Sequence, residues 1–388
     1  MKDYISKVME MAKLIIKAGH SIEIRQVPLR VTNEEVDSLP RNQQPFLYAS
    51  GNWGVGYVSI KSLVAILKTI QTLSDEMGNR LLAKDIRPVF VAGNITGGVI
   101  PGWELSLKFE RELQKPVHFI HVKGTRRIET GKQLITMVNK AALEQVVGKF
   151  CQAVVQGPRF DFVVGQVPGG MIPAYRLSQK LSALLGRNIP FVYARDQRKA
   201  GGQKELITGM PYLTLGSTGL VIGQVNDLIP STSRAVKDVE EEGFKVIDGA
   251  ELLNSFDPRA IQEAREIETA FNQDFPFIPA GSSGVVVEEL VNFAESTGNS
   301  TRLLRDAGFK VNHAATILFY GNPEAMKQFQ ELGLDMTWVL TLRELLDADE
   351  QYGSDSIESI NDYRAYLDDQ LGWQERRGLK PKSKGGTI

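Results

Sequence analysis

Apolar residues fall along this chain in two rhythms. Short aliphatic or aromatic runs at Phe90–Ala92, Phe119–Val122, Phe162–Val164, Phe191–Ala194, Leu220–Ile222 and Val285–Val287 are too short for helices and read as buried strands. Between them, Leu105–Leu113, Leu177–Leu185, Ala235–Glu242 and Thr301–Ala307 carry helical apolar spacing, and the last two stop at Gly243 and Gly308. Strands alternating with helices predict parallel sheets joined by right-handed crossovers. At the N-terminus, Ile5, Val8, Ala12, Ile15 and Ile16 share one face of a helix that Gly19 ends. A turn-rich strand region over 45–61 follows, then a helix from Leu63 to about Met77. Past Val311 the pattern predicts a strand at Ala315–Tyr320, a helix at Pro323–Leu332 and a strand running into a helix over 338–348. The charged stretch Asp257–Phe271 reads as a linking helix, and the basic tail from Gln374 as a solvated end.

The pattern is written twice. Residues 89–136 align without a gap on 161–208 at a shift of 72, which sets Gly97 on Gly169, Pro101 on Pro173, Phe119 on Phe191 and Arg126 on Arg198. Residues 216–246 align in the same way on 281–311 at a shift of 65. Two copies in the order first, first, second, second do not make a solenoid. They imply two related units, one nested in the other. Residues 87–136 with 281–346 form an outer lobe and 137–280 an inserted one; 1–86 lead in, and 347–388 add a C-terminal helix and the basic tail.

Composition narrows the chemistry. With 42% hydrophobic and 23% charged residues the chain is an ordinary globular protein, and its net charge of -1 offers no field for nucleic acid or membranes. Cys151 has no second cysteine to pair with, which points to a reducing, cytoplasmic setting. Four histidines and one cysteine leave no basis for a structural zinc site. No apolar run approaches the roughly 20 residues of a membrane span.

Three kinds of segment could carry chemistry. The turns GNITGG and GQVPGG, holding Gly97, Gly98, Gly169 and Gly170, each follow a strand and open a helix, where backbone N–H groups can approach an anion. Basic loops follow the second strand of each copy, with Lys123, Arg126, Arg127 and Lys132 in one and Arg195, Arg198, Lys199 and Lys204 in the other. Such loops, at strand ends, suit a pyrophosphate. The third kind is acidic and hydroxyl-rich. Glu288 and Glu289 sit on or just after a buried strand and, as neighbours on a strand, should face opposite ways. Ser296, Thr297, Gly298, Asn299, Ser300 and Thr301 then read as a phosphate-binding loop ahead of a helix. The sister segment keeps Asp227, Ser231, Thr232 and Ser233. It has Gly223 and Gln224 in place of the acids and Pro230 before the hydroxyls, so it should bind phosphate less well.

In these motifs the chain resembles the type I phosphoribosyltransferases, the orotate phosphoribosyltransferases most of all, over roughly residues 40–345. The resemblance implies an α/β fold of two phosphoribosyltransferase-like lobes, with parallel sheets flanked by helices and one lobe nested in the other as a fused pseudo-dimer. It implies base contacts from Ser50, Tyr57 and Lys61, and diphosphate contacts from the glycine turns and basic loops. Ribose contacts fall to Glu288, Glu289 or Asp227, and the 5′-phosphate to 296–301. The partners it implies are phosphoribosyl pyrophosphate, a nitrogenous base and Mg²⁺ carried by the diphosphate, with no direct protein ligand for the metal; further self-association stays open. The expected activity is phosphoribosyl transfer in nucleotide synthesis or salvage, the pyrimidine route included. Departures from the family pattern carry a rival reading: four extra residues after Glu289, Phe293 where an Asp belongs, and Glu129 or Gly201 where a loop histidine is usual. In that reading the chain is a catalytically lapsed nucleotide-binding or structural scaffold.

Overall fold

Helix α1 (Lys2–Ala18) buries Val8, Met11, Ala12 and Ile15, and Gly19, at φ +69°, supplies the left-handed turn that ends it. Strand β1 (Ile22–Ile24) follows, and then β2 (Phe46–Leu47), which pairs antiparallel with β3 (Trp53–Gly54). Strand β4 (Gly56–Val58) returns to pair antiparallel with β1. A 3-10 turn at Ile60–Ala65 leads into α2 (Leu67–Ala83). The helix expected from Leu63 therefore begins later, because Ile66 is extended at φ -111°, ψ 83° and separates the two segments. The computed structural model describes residues 2–48, 51–123, 135–195, 206–223, 232–256 and 278–380, together with 259, 262 and 266.

The first copy continues as β5 (Phe90–Asn94), α3 (Val99–Leu113), β6 (His118–Val122) and β7 (Ile135–Val138). After α4 (Lys140–Val155) the second repeats it as β8 (Phe162–Gln166), α5 (Met171–Leu185), β9 (Phe191–Ala194) and β10 (Ile207–Thr208). The other duplicated unit gives β11 (Thr218–Ile222), α6 (Thr232–Glu241), β12 (Lys245–Asp248) and then α7 (Gly249–Phe256). Its second copy gives β13 (Ser283–Val291), α8 (Glu295–Asp306) and β14 (Lys310–Phe319). Last come α9 (Pro323–Glu331), β15 (Asp335–Thr341), α10 (Leu342–Tyr352), α11 (Ile357–Asp368) and α12 (Gln370–Arg376). Helices α2 and α4 also correspond at the shift of 72, so the repeat starts a helix earlier in space than in sequence.

Two sheets result, and the fold is α/β with helices flanking both. One runs β15-β14-β13-β5-β6-β7 and the other β12-β11-β8-β9-β10. Matched strands hold matched places, and among the described strands of these two sheets only β15 has no counterpart. Each sheet is parallel except at its last strand, β7 or β10, which pairs antiparallel. Glycine-punctuated aliphatic runs explain this: Phe90, Val91, Ala92 and Phe162, Val163, Val164 are buried on both faces, as a parallel sheet requires. The copies meet through α3 and α5, where Gln179 Nε2 donates to Glu104 Oε1 at 2.8 Å.

The end of the chain departs from expectation. Up to Lys380 it is ordered against the N-terminal ribbon, with Gln374, Arg377 and Leu379 buried. Gln374 Oε1 accepts from the Trp53 N–H at 2.8 Å, and the Lys380 carbonyl accepts from Trp53 Nε1 at 3.0 Å. Net basic charge hid these anchors from the sequence. The expected helix over 257–271 lies mostly outside the described residues. No described helix is long and apolar enough to cross a membrane.

Candidate functional site

Parallel α/β sheets bind ligands beyond the C-terminal ends of their strands. Here β5 and β13 end side by side under a cleft of about 590 Å³. Strand β5 stops at Asn94, and the chain turns through a cis Ile95–Thr96 peptide into α3. The Gly98 N–H donates to the Asn94 carbonyl at 2.9 Å, which closes the turn. A Cβ on Gly98 would collide with the Val287 carbonyl, and one on Gly97 with the Glu289 carboxylate. Both glycines are needed because the turn lies directly on β13. Gly97 lines the cleft, whereas Gly98 is buried beneath it.

Glu288 and Glu289 both line this cleft with their carboxyls side by side, which corrects the expectation that they face opposite ways; they differ in burial and neighbours instead. Glu288 is 6% exposed and accepts from Asn94 Nδ2. Burial, and then the Glu289 carboxylate beside it, pushes the Glu288 carboxyl up to about 8. Glu289 lies over Gly97 instead. Neither acid forms an ion pair among the described residues.

The segment 296–301 corrects the sequence reading. It is not a loop: Ala294, at φ 60°, turns the chain straight into α8, and Ser296 to Thr301 fill its first turns. Ser296, Thr297 and Asn299 line the cleft. Thr301 is buried away from it and donates to the Thr297 carbonyl at 2.8 Å. Ser300 is fully buried, and Gly298 faces Gln328, where a side chain would not fit. Three of the six candidate residues thus pack α8 rather than face a ligand. What remains for an anion is the free N–H groups of the helix N-terminus and the Thr297 hydroxyl, which is buried without a partner.

The opposite wall is aromatic. Tyr48, Tyr57, Lys61 and Tyr320 line it. The Tyr57 ring lies 5.6 Å from Phe46, and Lys61 Nζ stands 5.7 Å from the Tyr57 centroid. Lys61 is held by the 3-10 turn at 5% exposure. Ser50 lies outside the described residues.

Among the described residues, one basic side chain of the inserted copy bonds a residue of this cleft, Thr96, without lining the cleft itself. Arg195, at the end of β9, is buried. Its Nε donates to Thr208 Oγ1 and its Nη2 to Thr96 Oγ1, both at 3.3 Å. Lys123, its counterpart after β6, is half-buried and does not line the cleft. Gly169 and Gly170 sit in the sister turn, where a Cβ on Gly170 would meet the Ile222 carbonyl. Arg126, Arg127, Lys132, Arg198, Lys199, Lys204, Asp227 and Ser231 lie outside the described residues. Sequence reading passes over Asn94, Thr96, Tyr48 and Tyr320. A signal for Asn94 exists: it ends an apolar strand, and its counterpart, Gln166, is polar too.

No family model matches the chain. The orotate phosphoribosyltransferase of Sinorhizobium fredii is 28% identical over 102 residues, 26% of this chain and 44% of that protein. That of Rhizobium meliloti is 26% identical over 103 residues, again 44% of its length. The chain spans less than half the length of these curated relatives. Among solved structures, Leishmania donovani UMP synthase aligns at a TM-score of 0.24 and 16% identity, over 64% of this chain and 39% of that one. Orotate phosphoribosyltransferase from Aeropyrum pernix aligns at 0.19 and 17%, over 58% and 90%. Over about a quarter of its length, then, this chain is related to the orotate phosphoribosyltransferases.

Proposed function

We propose that the chain is a phosphoribosyltransferase of the orotate type, with one better site in the cleft under β5 and β13. The observation that supports this most is convergence. Gly97, from a distant segment, joins the Glu288–Glu289 pair and the α8 N-terminus that follows it to line one cleft. In this reading the two sheets are the cores of two lobes, 87–136 with 281–346 and 137–280, fused as a pseudo-dimer. The α8 N–H groups hold the 5′-phosphate. Glu288 and Glu289 accept from the ribose hydroxyls. The glycine turn and Arg195 meet the diphosphate. Tyr57 and Lys61 orient the base, whose nitrogen bonds the anomeric carbon as the bond to diphosphate breaks. In this reading the Glu289 carboxylate stands near the developing ribose cation, beside a Glu288 that keeps its proton below about pH 8, and donors stand near the leaving group.

Mg²⁺ would arrive on the diphosphate. Among the described residues no three His, Cys, Asp or Glu side chains cluster to hold a metal alone. The two acids, which form no ion pair among the described residues, suit its bound waters and the ribose hydroxyls. When bound, the ion neutralises charge on the leaving diphosphate.

One observation favours the rival scaffold reading. Glu295 opens α8 and lines the cleft, so a carboxylate stands where the 5′-phosphate would sit. Titration calorimetry of the full chain with Mg²⁺ and phosphoribosyl pyrophosphate separates the two. The transferase reading expects one site per chain, followed by consumption of orotate or another base. No heat at millimolar ligand leaves the scaffold.

A further inference from the structure

Behind the aromatic wall of the cleft lies a second layer made by the end of the chain. Tyr363 of α11 fills the space that Gly56 leaves beside Tyr57, and its hydroxyl stands 3.2 Å from that of Tyr320. Tyr48 donates to the Gly56 carbonyl, and its ring lies 6.2 Å from Tyr366. Gln374, fully buried, takes the Trp53 N–H. The Val31 N–H donates to the Arg377 carbonyl at 2.9 Å, and Asn33 and Lys380 bond each other twice, at 2.9 and 3.0 Å. Within this layer Arg377 and Trp373 both donate to Asp362, at 2.6 and 3.0 Å.

The wall needs such support. Its strands β2 and β3 are two residues long and form a sheet of their own. A lone two-stranded hairpin is marginal in water at best. We infer that residues 357–380 position the wall of Tyr48, Tyr57 and Lys61 and thereby set how tightly the cleft grips a planar base, an inference that rests on the phosphoribosyl reading of the site. Tyr363 and Gln374 are positioning residues here. Neither lines the cleft, and both hold residues that do or that adjoin them.

The test uses the full chain with Gln374→Ala, which strips the Trp53 N–H of its acceptor, and Tyr363→Phe, which keeps the ring and loses only the hydroxyl. Hydrogen exchange read by mass spectrometry should speed up about tenfold over 46–58 in Gln374→Ala, with the turn at 94–98 unchanged. Calorimetry with orotate, uracil and adenine should show the best binder weakened about fivefold or more in both variants, while Mg²⁺–phosphoribosyl pyrophosphate stays within about twofold. Unchanged exchange over 46–58 overturns the inference, as does an equal loss of base and phosphoribosyl pyrophosphate affinity. If the unsubstituted chain binds neither ligand, the phosphoribosyl reading fails, while exchange over 46–58 still decides whether the C-terminal layer holds the wall.

Discussion

The two glycine turns share a backbone and differ in their surroundings. Each holds a cis peptide at the matched position, Ile95–Thr96 and Val167–Pro168. Each also presses its last glycine on a matched carbonyl, Val287 for Gly98 and Ile222 for Gly170. Around that frame the side chains part. Asn94, bonded to Glu288, becomes Gln166, whose Oε1 is buried without a partner. Thr96 becomes Pro168, and Glu288 becomes Gly223. Backbone contact therefore holds the turn in both copies, whereas among the described residues the bonded polar side chains Asn94, Thr96 and Glu288 belong to one. Both turns can be structural necessities while, in the proposed reading, only one serves a ligand.

The glycines break that comparison hardest. Gly98→Ala and Gly170→Ala each drive a methyl into a backbone carbonyl that cannot swing aside. Each should cost about 3 kcal/mol in urea unfolding. Only Gly98→Ala should also abolish phosphoribosyl pyrophosphate binding. Gly97→Ala meets a side chain instead, the Glu289 carboxylate, which can rotate away. It should cost less than about 1 kcal/mol of stability yet weaken the ligand about tenfold or more. Equal binding losses from Gly98→Ala and Gly170→Ala would mean two working sites.

Glu288 offers a smaller, pH-dependent test. Its carboxyl titrates near 8 when folded and at the ordinary 4.5 when unfolded. Between those values the folded chain holds a proton that the unfolded chain has lost, so stability falls as pH rises and levels off above about 8. Glu288→Gln keeps an acceptor for Asn94 and removes the titration. Near pH 5 it should match the unsubstituted chain; near pH 9 it should exceed it by on the order of 4 kcal/mol in urea unfolding. A parallel shift at both pH values would show that burial of Glu288 exacts no ionisation cost. The inserted copy, with Gly223 at this place, has no such term to lose.

The same contrast governs what the sequence could reveal. The strands and the parallel class of their sheets were legible because aliphatic runs ending in glycine, alternating with helices, imply that arrangement, and their repetition doubled the signal. The nature of 296–301 was not. Ser, Thr, Asn and Gly favour loops and caps locally, but here buried contacts recruit them into α8: Gly298 admits Gln328, and Ser300 and Thr301 face inward. The C-terminal layer was hidden for a similar reason. Five basic residues outweigh Trp373 and Gln374 in composition, yet two hydrogen bonds to Trp53 decide where that segment lies. Pairings such as Asn94 with Glu288, or Arg195 with Thr96, depend on which loops meet in space, and no local pattern encodes that.

Arg195 gives the finest test of the comparison. It reaches from the inserted copy to Thr96 in the outer turn. The reverse contact has no chemistry: its donor would be Lys123, and its acceptor would be Pro168, which has no hydroxyl. If support runs one way, Arg195→Ala should weaken phosphoribosyl pyrophosphate about tenfold, the worth of one charge-assisted hydrogen bond. Lys123→Ala should change it by less than about twofold, the scale of a solvent-screened charge. Because Arg195 is buried against Thr208, its loss also costs stability. Arg195→Lys controls for this, keeping charge and most of the volume while losing the fork that spans two hydroxyls. Should Lys123→Ala match Arg195→Ala in lost affinity with the fold intact, both basic arms serve ligands and the copies are more nearly equal than their turns imply.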